Sequence, residues 1–229
     1  MESKRAQILS IIQRRDGASV DELAEELGLA SATVRRHLDI LQRDGLVGFV
    51  EAHGGVGRPR YVYSLTHAGQ ELLPREYNRL AQRFMHEVAN LGAGELKEMA
   101  SGRSLVDLVV RRIAGNKAEQ YAGQLAGEDF DGTVQGATRI LNQEHYAADA
   151  QEVPAGYRIR LHNCPYQEVA DSHHELCSLE TEFIRNLVKC SVVQEATKVE
   201  GAASCVLLVQ RPHAQAVVAE AVPPAQRPA

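Results

Sequence analysis

Residues 19–47 read SVDELAEELGLASATVRRHLDILQRDGLV, and their punctuation decides the fold of the N-terminal part of the chain. Ser19 suits a helix N-cap, and Asp21 and Glu22 fall in the first turn, where the helix dipole favours acids. Leu23, Ala24 and Leu27 face one way at helical spacing, and Gly28 stops the helix and makes a turn. Ser31 then reads as the cap of a further helix, Ala32 to Arg43. In that helix Val34, Leu38 and Leu41 share one face at i, i+4 and i+7. Thr33, Arg35, Arg36 and His37 stand off that face, and Gly45 closes the helix.

On the N-terminal side, Lys4 to Arg15 carries Ile8, Leu9, Ile11 and Ile12, an amphipathic helix ended by Asp16-Gly17. On the C-terminal side, Leu46 to Glu51 and Tyr61 to Leu65 are both strand-like. They flank His53-Gly54-Gly55-Val56-Gly57-Arg58-Pro59-Arg60, a Gly-rich hairpin tip with two arginines. Helix, Gly turn and a second helix with polar and Arg side chains in its first turns is the helix-turn-helix arrangement. It carries side chains to base edges in the major groove of double-stranded DNA. Ser31 and Thr33 can reach phosphate or base, and Arg35 or Arg36 can pair with guanine, with His37 beside them. Arg58 and Arg60 read as a wing laid on the backbone or minor groove. Residues 4–75 resemble the winged-helix domains of ArsR-like and DeoR-like bacterial repressors, on the segment Ser19 to Val47 and the Gly-Arg-Pro wing. The resemblance implies a DNA operator as partner.

Composition is that of an ordinary globular chain, 44% apolar and 24% charged over 229 residues, with no Trp. The net charge of −5 would argue against nucleic acid if it were spread evenly. Residues 1–90 hold 12 basic and 12 acidic side chains, and the excess of acids lies beyond them. Within 31–60 there are five Arg against three acids, with two His besides, a local basic footprint. No apolar run approaches the ~18 residues that span a bilayer, and no hydrophobic stretch follows the first residues. A cytoplasmic protein is expected, without a membrane partner, its thiols reduced. Cysteines in that setting serve metals or redox chemistry more often than disulfides.

Thr66 to Asn90 is helical by pattern, with a break at Pro74. Residues 95–126 continue in the same vein, and Asp131 to His145 reads as one more helix. Helices after a wing commonly form a dimer interface, so a homodimer is expected through this region. Tyr157, Ile159 and Leu161 alternate with polar residues as a half-buried strand. Asn163 reads as the cap of a helix with Pro165 in its first turn, placing Cys164 where a helix N-terminus stabilises thiolate. Ser178 reads as the cap of the following helix. Val192 to Val199 and Ser204 to Gln210 read as a strand pair, and the Pro-rich tail as disordered.

The four cysteines, Cys164, Cys177, Cys190 and Cys205, are spaced C-x12-C-x12-C-x14-C. Zinc fingers and ribbons use close C-x2–4-C pairs, which this spacing lacks. If an unbroken helix joins Cys177 to Cys190, it separates them by ~18–20 Å. One chain then cannot offer both to one cluster. Three cysteines with another ligand is therefore an open option. The segment 157–210 resembles the C-terminal region of SufR-type repressors, on Cys164-Pro165-Tyr166, Val169-Ala170, His173 or His174 with Glu175-Leu176-Cys177, Cys190, and Gly201 with Cys205. The second gap is one residue shorter than in that family. The resemblance implies a 4Fe–4S iron–sulfur cluster on Cys164, Cys177 and Cys205, with Cys190 as fourth ligand. It also implies a homodimer that represses genes for cluster assembly, bound to its operator when the cluster is present. His162, His173 and His174 read as solvated or capping residues rather than ligands.

The expected architecture is α+β. It comprises a winged helix-turn-helix over 1–66, a central helical dimerisation region over 67–146, a small α+β cysteine-containing sensor domain over 147–212, and a disordered tail over 213–229. Two other functions remain open. One is a winged-helix repressor that senses an oxidant, zinc or a small ligand without a cluster. The other is an enzyme using Cys164 with His162 as nucleophile and base, which the lack of any Ser/His/Asp or phosphate-loop motif disfavours. A non-enzymatic regulator is the expectation.

Overall fold

The structure, a computed structural model, describes residues 3–52, 60–98 and 102–212. Its first unit is three helices and a small sheet: α1 (Lys4–Arg15), β1 (Ala18–Ser19), α2 (Val20–Leu27), α3 (Ser31–Arg43), β2 (Val47–Ala52) and β3 (Arg60–Leu65). The strands run antiparallel in the order β1-β3-β2, with Ala18 opposite Tyr63 and Val47 opposite Leu65. Ile8, Ile12, Leu23, Val34, Leu38, Leu41 and Val47 form its buried core. The apolar stripes of three helices thus meet on one face of the sheet, as their periodicity requires.

Ser19 caps α2 and Glu22 reaches back to the Ser19 amide, a reciprocal capping box. Gly28 ends α2 at φ 63°, a left-handed conformation that glycine adopts at little cost. Helix α3 starts one residue earlier than expected. Ala30 is its N-cap, without a side-chain bond, and the Ser31 hydroxyl instead donates to Asp21 Oδ1 at 3.4 Å.

The chain then forms α4 (His67–Glu71), α5 (Tyr77–Ala89), α6 (Ala93–Glu98), α7 (Gly102–Ala122) and α8 (Phe130–Gln143). Next come β4 (Ala148–Val153), β5 (Gly156–Leu161), α9 (Gln167–Ser172), α10 (Ser178–Val188), β6 (Val192–Ala196) and β7 (Cys205–Gln210). The four strands make an antiparallel sheet in the order β4-β5-β7-β6. Strand β4 turns only the small Ala148 and Ala150 to the core between exposed polar residues, a weak alternation, and was not expected from the sequence. Helices α8 and α10 pack against each other and the sheet, and α7 packs on α10. The central helices and the cysteine-bearing segment therefore share one core, running from Leu80 through Val109, Ile113 and Ile140 to Phe183, Leu207 and Val209. The sequence reading had divided them into two regions. No single layer among them can cover its own apolar face, so they close on each other.

Two further capping expectations are corrected. Helix α10 follows directly from the short turn 174–177, so Cys177 occupies its N-cap and the Ser178 hydroxyl donates to Glu175 O at 2.8 Å. Asn163 caps no helix, since α9 begins only at Gln167. Among the described residues no helix is long and apolar enough to cross a membrane.

Candidate nucleic-acid interface and thiol pocket

Helix α3 turns Val34, Leu38 and Leu41 into the core, all at most 2% exposed. The same 100° periodicity leaves Thr33, Arg35 and Arg36 exposed on the opposite face, with Ser31 and His37 half-buried at its edges. Arg14 and Arg15 of α1 are tied to Glu26 at 2.6 and 2.8 Å. Arg35 and Arg36 have no carboxylate partner among the described residues, so their guanidinium groups project with their donors uncommitted. The tip 53–59, with Arg58, and the side chain of Arg60 lie outside the described residues. The strands that carry the tip show exposed Phe49 and Tyr61, whose rings meet edge to face at 5.0 Å. The strand-like reading of these segments did not mark that aromatic stem.

The second site is built by three separated elements. Cys164 lies in the loop after β5, Cys177 at the start of α10, and Cys205 at the first position of β7. Antiparallel pairing sets Cys205 opposite Leu161, three residues before Cys164. All three cysteines line one narrow pocket with Tyr146, Leu161, Ala170, Leu176, Glu180 and Leu207. Its empty space, counted to its open mouth, is about 440 Å³. The lining is mainly apolar, and the cysteines are half-buried.

Charge in this pocket is expensive. Burial pushes the Cys164 thiol well up, and the Glu180 carboxylate adds to the shift, with the Tyr166 amide opposing it. Burial and Glu180 push Cys177 up to about 12. Cys205 is raised by burial too, although the Lys198 amide donates to its sulfur at 3.4 Å. The expectation of a thiolate stabilised at a helix N-terminus is therefore corrected. Cys164 precedes α9 by three residues, and desolvation governs it. Glu180 is itself raised to about 7 by burial. One hydroxyl, that of Tyr146, donates to its Oε1 at 3.0 Å.

Cys190 lies elsewhere. Helix α10, 11 residues or roughly 16 Å long, separates it from Cys177. Its sulfur donates to Val188 O at 3.2 Å. His173 and His174 are exposed, and His162 bonds Asp149 at 2.5 Å outside the thiol pocket. Cys164 and His162 therefore do not form a nucleophile–base pair, and a raised thiol pKa opposes activation of the sulfur. Among the described residues no group of three or more His, Cys, Asp or Glu is gathered tightly enough for a single metal ion. The three thiols share a pocket without converging on a point.

The pocket loop is fastened to the chain that leaves the winged helix. Arg75, between α4 and α5, donates to Cys164 O at 2.8 Å and to Asn163 Oδ1 at 3.2 Å. The Glu76 amide donates to Pro165 O at 3.1 Å. Asn163, 3% exposed, returns a bond to Pro74 O at 3.2 Å. From α1, Gln13 Nε2 donates to His162 O at 3.4 Å. Both strands of this contact are long-range, and nothing in the local pattern of either segment announced it.

A family model described as winged helix-turn-helix DNA-binding matches residues 1–47. The N-terminal unit is thus a winged helix-turn-helix of DNA-binding type, as its core and its outward Arg face require. The chain is 44% identical over 52 residues to the probable C4-dicarboxylate response regulator DctR of Bacillus subtilis. That match takes in 22% of this chain and 23% of that protein's length, less than a quarter of either. The crystal structure of Bacillus subtilis PadR in complex with operator DNA aligns at 22% identity and a TM-score of 0.27, over 62% of this chain and 90% of that one.

Proposed function

We propose that this chain is a SufR-type transcriptional regulator, a repressor that binds an operator as a homodimer under the control of an iron–sulfur cluster. Genes for iron–sulfur cluster assembly are its targets on this reading. The observation that carries it is the meeting of Cys164, Cys177 and Cys205 in one pocket whose loop is hydrogen-bonded to the linker behind the DNA-binding unit. Exposed Met85 and Val88 on α5 support a dimer through the helices after the wing.

The donor set fits a cluster. Three thiols and a carboxylate in an apolar pocket cannot all ionise unless positive charge lies among them. The ammonium of Lys198 is turned to His162 O and Ala203 O instead. A 4Fe–4S cluster, when bound, supplies that charge and a bond to each thiolate. Cys164, Cys177 and Cys205 would hold it, each releasing its proton. The Tyr166 and Lys198 amides would donate to the bound sulfurs, a contact that tunes such clusters. Fixing Cys164 fixes residues 163–165, and Arg75 and Glu76 pass that constraint to α4 and the winged helix. The spacing of two recognition helices in a dimer is thereby biased toward one arrangement. Buried thiols with raised pKa disfavour direct sensing of an oxidant by a free thiolate.

Anaerobic purification with a visible spectrum and iron and sulfide analysis tests the reading. Broad absorbance near ~400 nm with matched iron and sulfide is expected. Cys164→Ser, Cys177→Ser and Cys205→Ser should each abolish it. DNA selected from a random duplex pool should bind the loaded protein more tightly than the cluster-free protein. A colourless protein after anaerobic reconstitution rejects the cluster and leaves a winged-helix DNA-binding protein.

A further inference from the structure

We infer that Glu180, and not Cys190, is the fourth protein ligand of the thiol pocket, giving one carboxylate oxygen to iron beside three thiolates. This assignment rests on the cluster reading above.

Glu180 stands three residues after Cys177 on α10, so the two side chains leave the first turn on the same side. The residue is 7% exposed and lines the pocket with Cys164, Cys177 and Cys205. Its charge bears on all three thiols. A carboxylate among apolar side chains is costly unless donors or a cation meet it. The Tyr146 hydroxyl answers one of its lone pairs at 3.0 Å, and an ionised carboxylate offers about four. The buried cation Lys117 is paired with Glu144 at 2.9 Å, 5.1 Å from the centre of the Tyr146 ring, and acts on Glu180 through its charge alone. A backbone hydrogen bond within Glu180 also meets the carboxylate, and iron in the pocket would add the directly bonded cation that these hydrogen bonds do not supply. Tyr146 acts as a positioning residue, holding Oε1 so that the group faces the thiols.

Cys190 is unsuited to the same role. It shares no lining with the other three, and the rigid length of α10 holds it at the opposite end from Cys177. A carboxylate is also a harder donor than thiolate and holds iron less firmly. One corner of the cluster then differs from the other three and is the first to exchange or lose its iron. That is a useful property where cluster loss is the signal.

The test is anaerobic reconstitution of the full chain as wild type, Glu180→Gln, Glu180→Ala and Cys190→Ser, followed by Mössbauer spectra and mild oxidation. Wild type and Cys190→Ser should show one iron subsite distinct from the rest, with equal iron and sulfide. Both Glu180 variants should take up sulfide normally, lose the oxygen-ligated subsite, and release about one iron in four within minutes of oxidation, to a three-iron form seen by electron paramagnetic resonance. Exogenous thiol should shift the spectrum of Glu180→Ala and leave that of wild type unchanged. Glu180→Gln keeps the volume and the Tyr146 bond, so loss of fold is separated by its circular dichroism. Unchanged subsites in both Glu180 variants, or loss of the cluster in Cys190→Ser, overturns the assignment and leaves the cluster itself standing. A wild type that takes up no iron overturns the cluster reading together with this one.

Discussion

Arg75 joins the two halves of the molecule with one planar side chain. Its two terminal nitrogens reach Asn163, Cys164 O and Gln70 O, at 3.2, 2.8 and 2.9 Å. Removing it leaves those acceptors to find water. Arg75→Ala is expected to cost about 1–3 kcal/mol in stability. If the cluster proposed above is present, the same change should bring the DNA affinities of cluster-loaded and cluster-free protein together, measured by anisotropy on a selected duplex, with iron content unchanged. A retained difference in affinity would show that the signal takes another route. On α3, Arg35→Ala and Arg36→Ala should each weaken DNA binding by about 1–3 kcal/mol for a base contact. For a phosphate contact they should flatten the salt dependence by about one counterion. Titrations at several salt concentrations separate the two. Arg35 and Arg36 could be singled out in the sequence because they are read against the Leu period of their own helix. The partners of Arg75 lie 88 and 89 residues away, and no local pattern reports them.

Among the elements, α2 and α3 are specified almost entirely by nearby residues. The capping box of Ser19 with Glu22, the left-handed Gly28 and the buried Val34, Leu38 and Leu41 each act within two turns. Ser19→Ala should lower the stability of the winged unit by about 1 kcal/mol. Leu38→Ala should lower it by about 2–5 kcal/mol. Thermal melts followed at the helical band read both. Helix α10 is a different case. Its periodicity is plain, yet its start was misplaced by one residue, because the turn 174–177 runs into it and its cap is Cys177 rather than a hydroxyl. Strand β4 was missed for a related reason. It is an edge strand held by pairing with β5, with polar side chains on both faces.

For the whole molecule, two separate cores predict two unfolding events. One core is built on Leu23 and Leu38, the other on Ile113, Phe183 and Leu207. Calorimetry should resolve two transitions, and Phe183→Ala should move only the one that carries the thiol pocket, by about 3–5 kcal/mol. That second core also encloses Lys117, 1% exposed, paired with Glu144 at 2.9 Å and set 4.3 Å over the Phe183 ring. Burial pulls its pKa down although Glu144 opposes the shift. Removing Lys117 takes the closest cation from the buried Glu144 and leaves it with Arg79 and Arg83 at 3.5 and 3.7 Å and the Tyr121 hydroxyl. Lys117→Met alone should destabilise by about 3–5 kcal/mol, and Lys117→Met with Glu144→Gln by much less. Denaturant titration of the single and double variants gives the comparison. A double variant no more stable than the single one would remove the pair's charge as the cause.

The sequence by itself determined the DNA-binding unit, because helix period, caps and glycine turns are written within a few residues of where they act. It also singled out four cysteines and the difficulty of seating Cys177 and Cys190 together. Only the tertiary structure decided which thiols meet. The pairing of β5 with β7 brings Cys205 to Cys164, and the packing of α10 brings Cys177 and leaves Cys190 at the far end. The same packing carries Glu180 into the pocket and lays Arg75 on its loop. These contacts join residues far apart in the chain. Their energy lies in burial and pairing that no stretch of sequence contains alone.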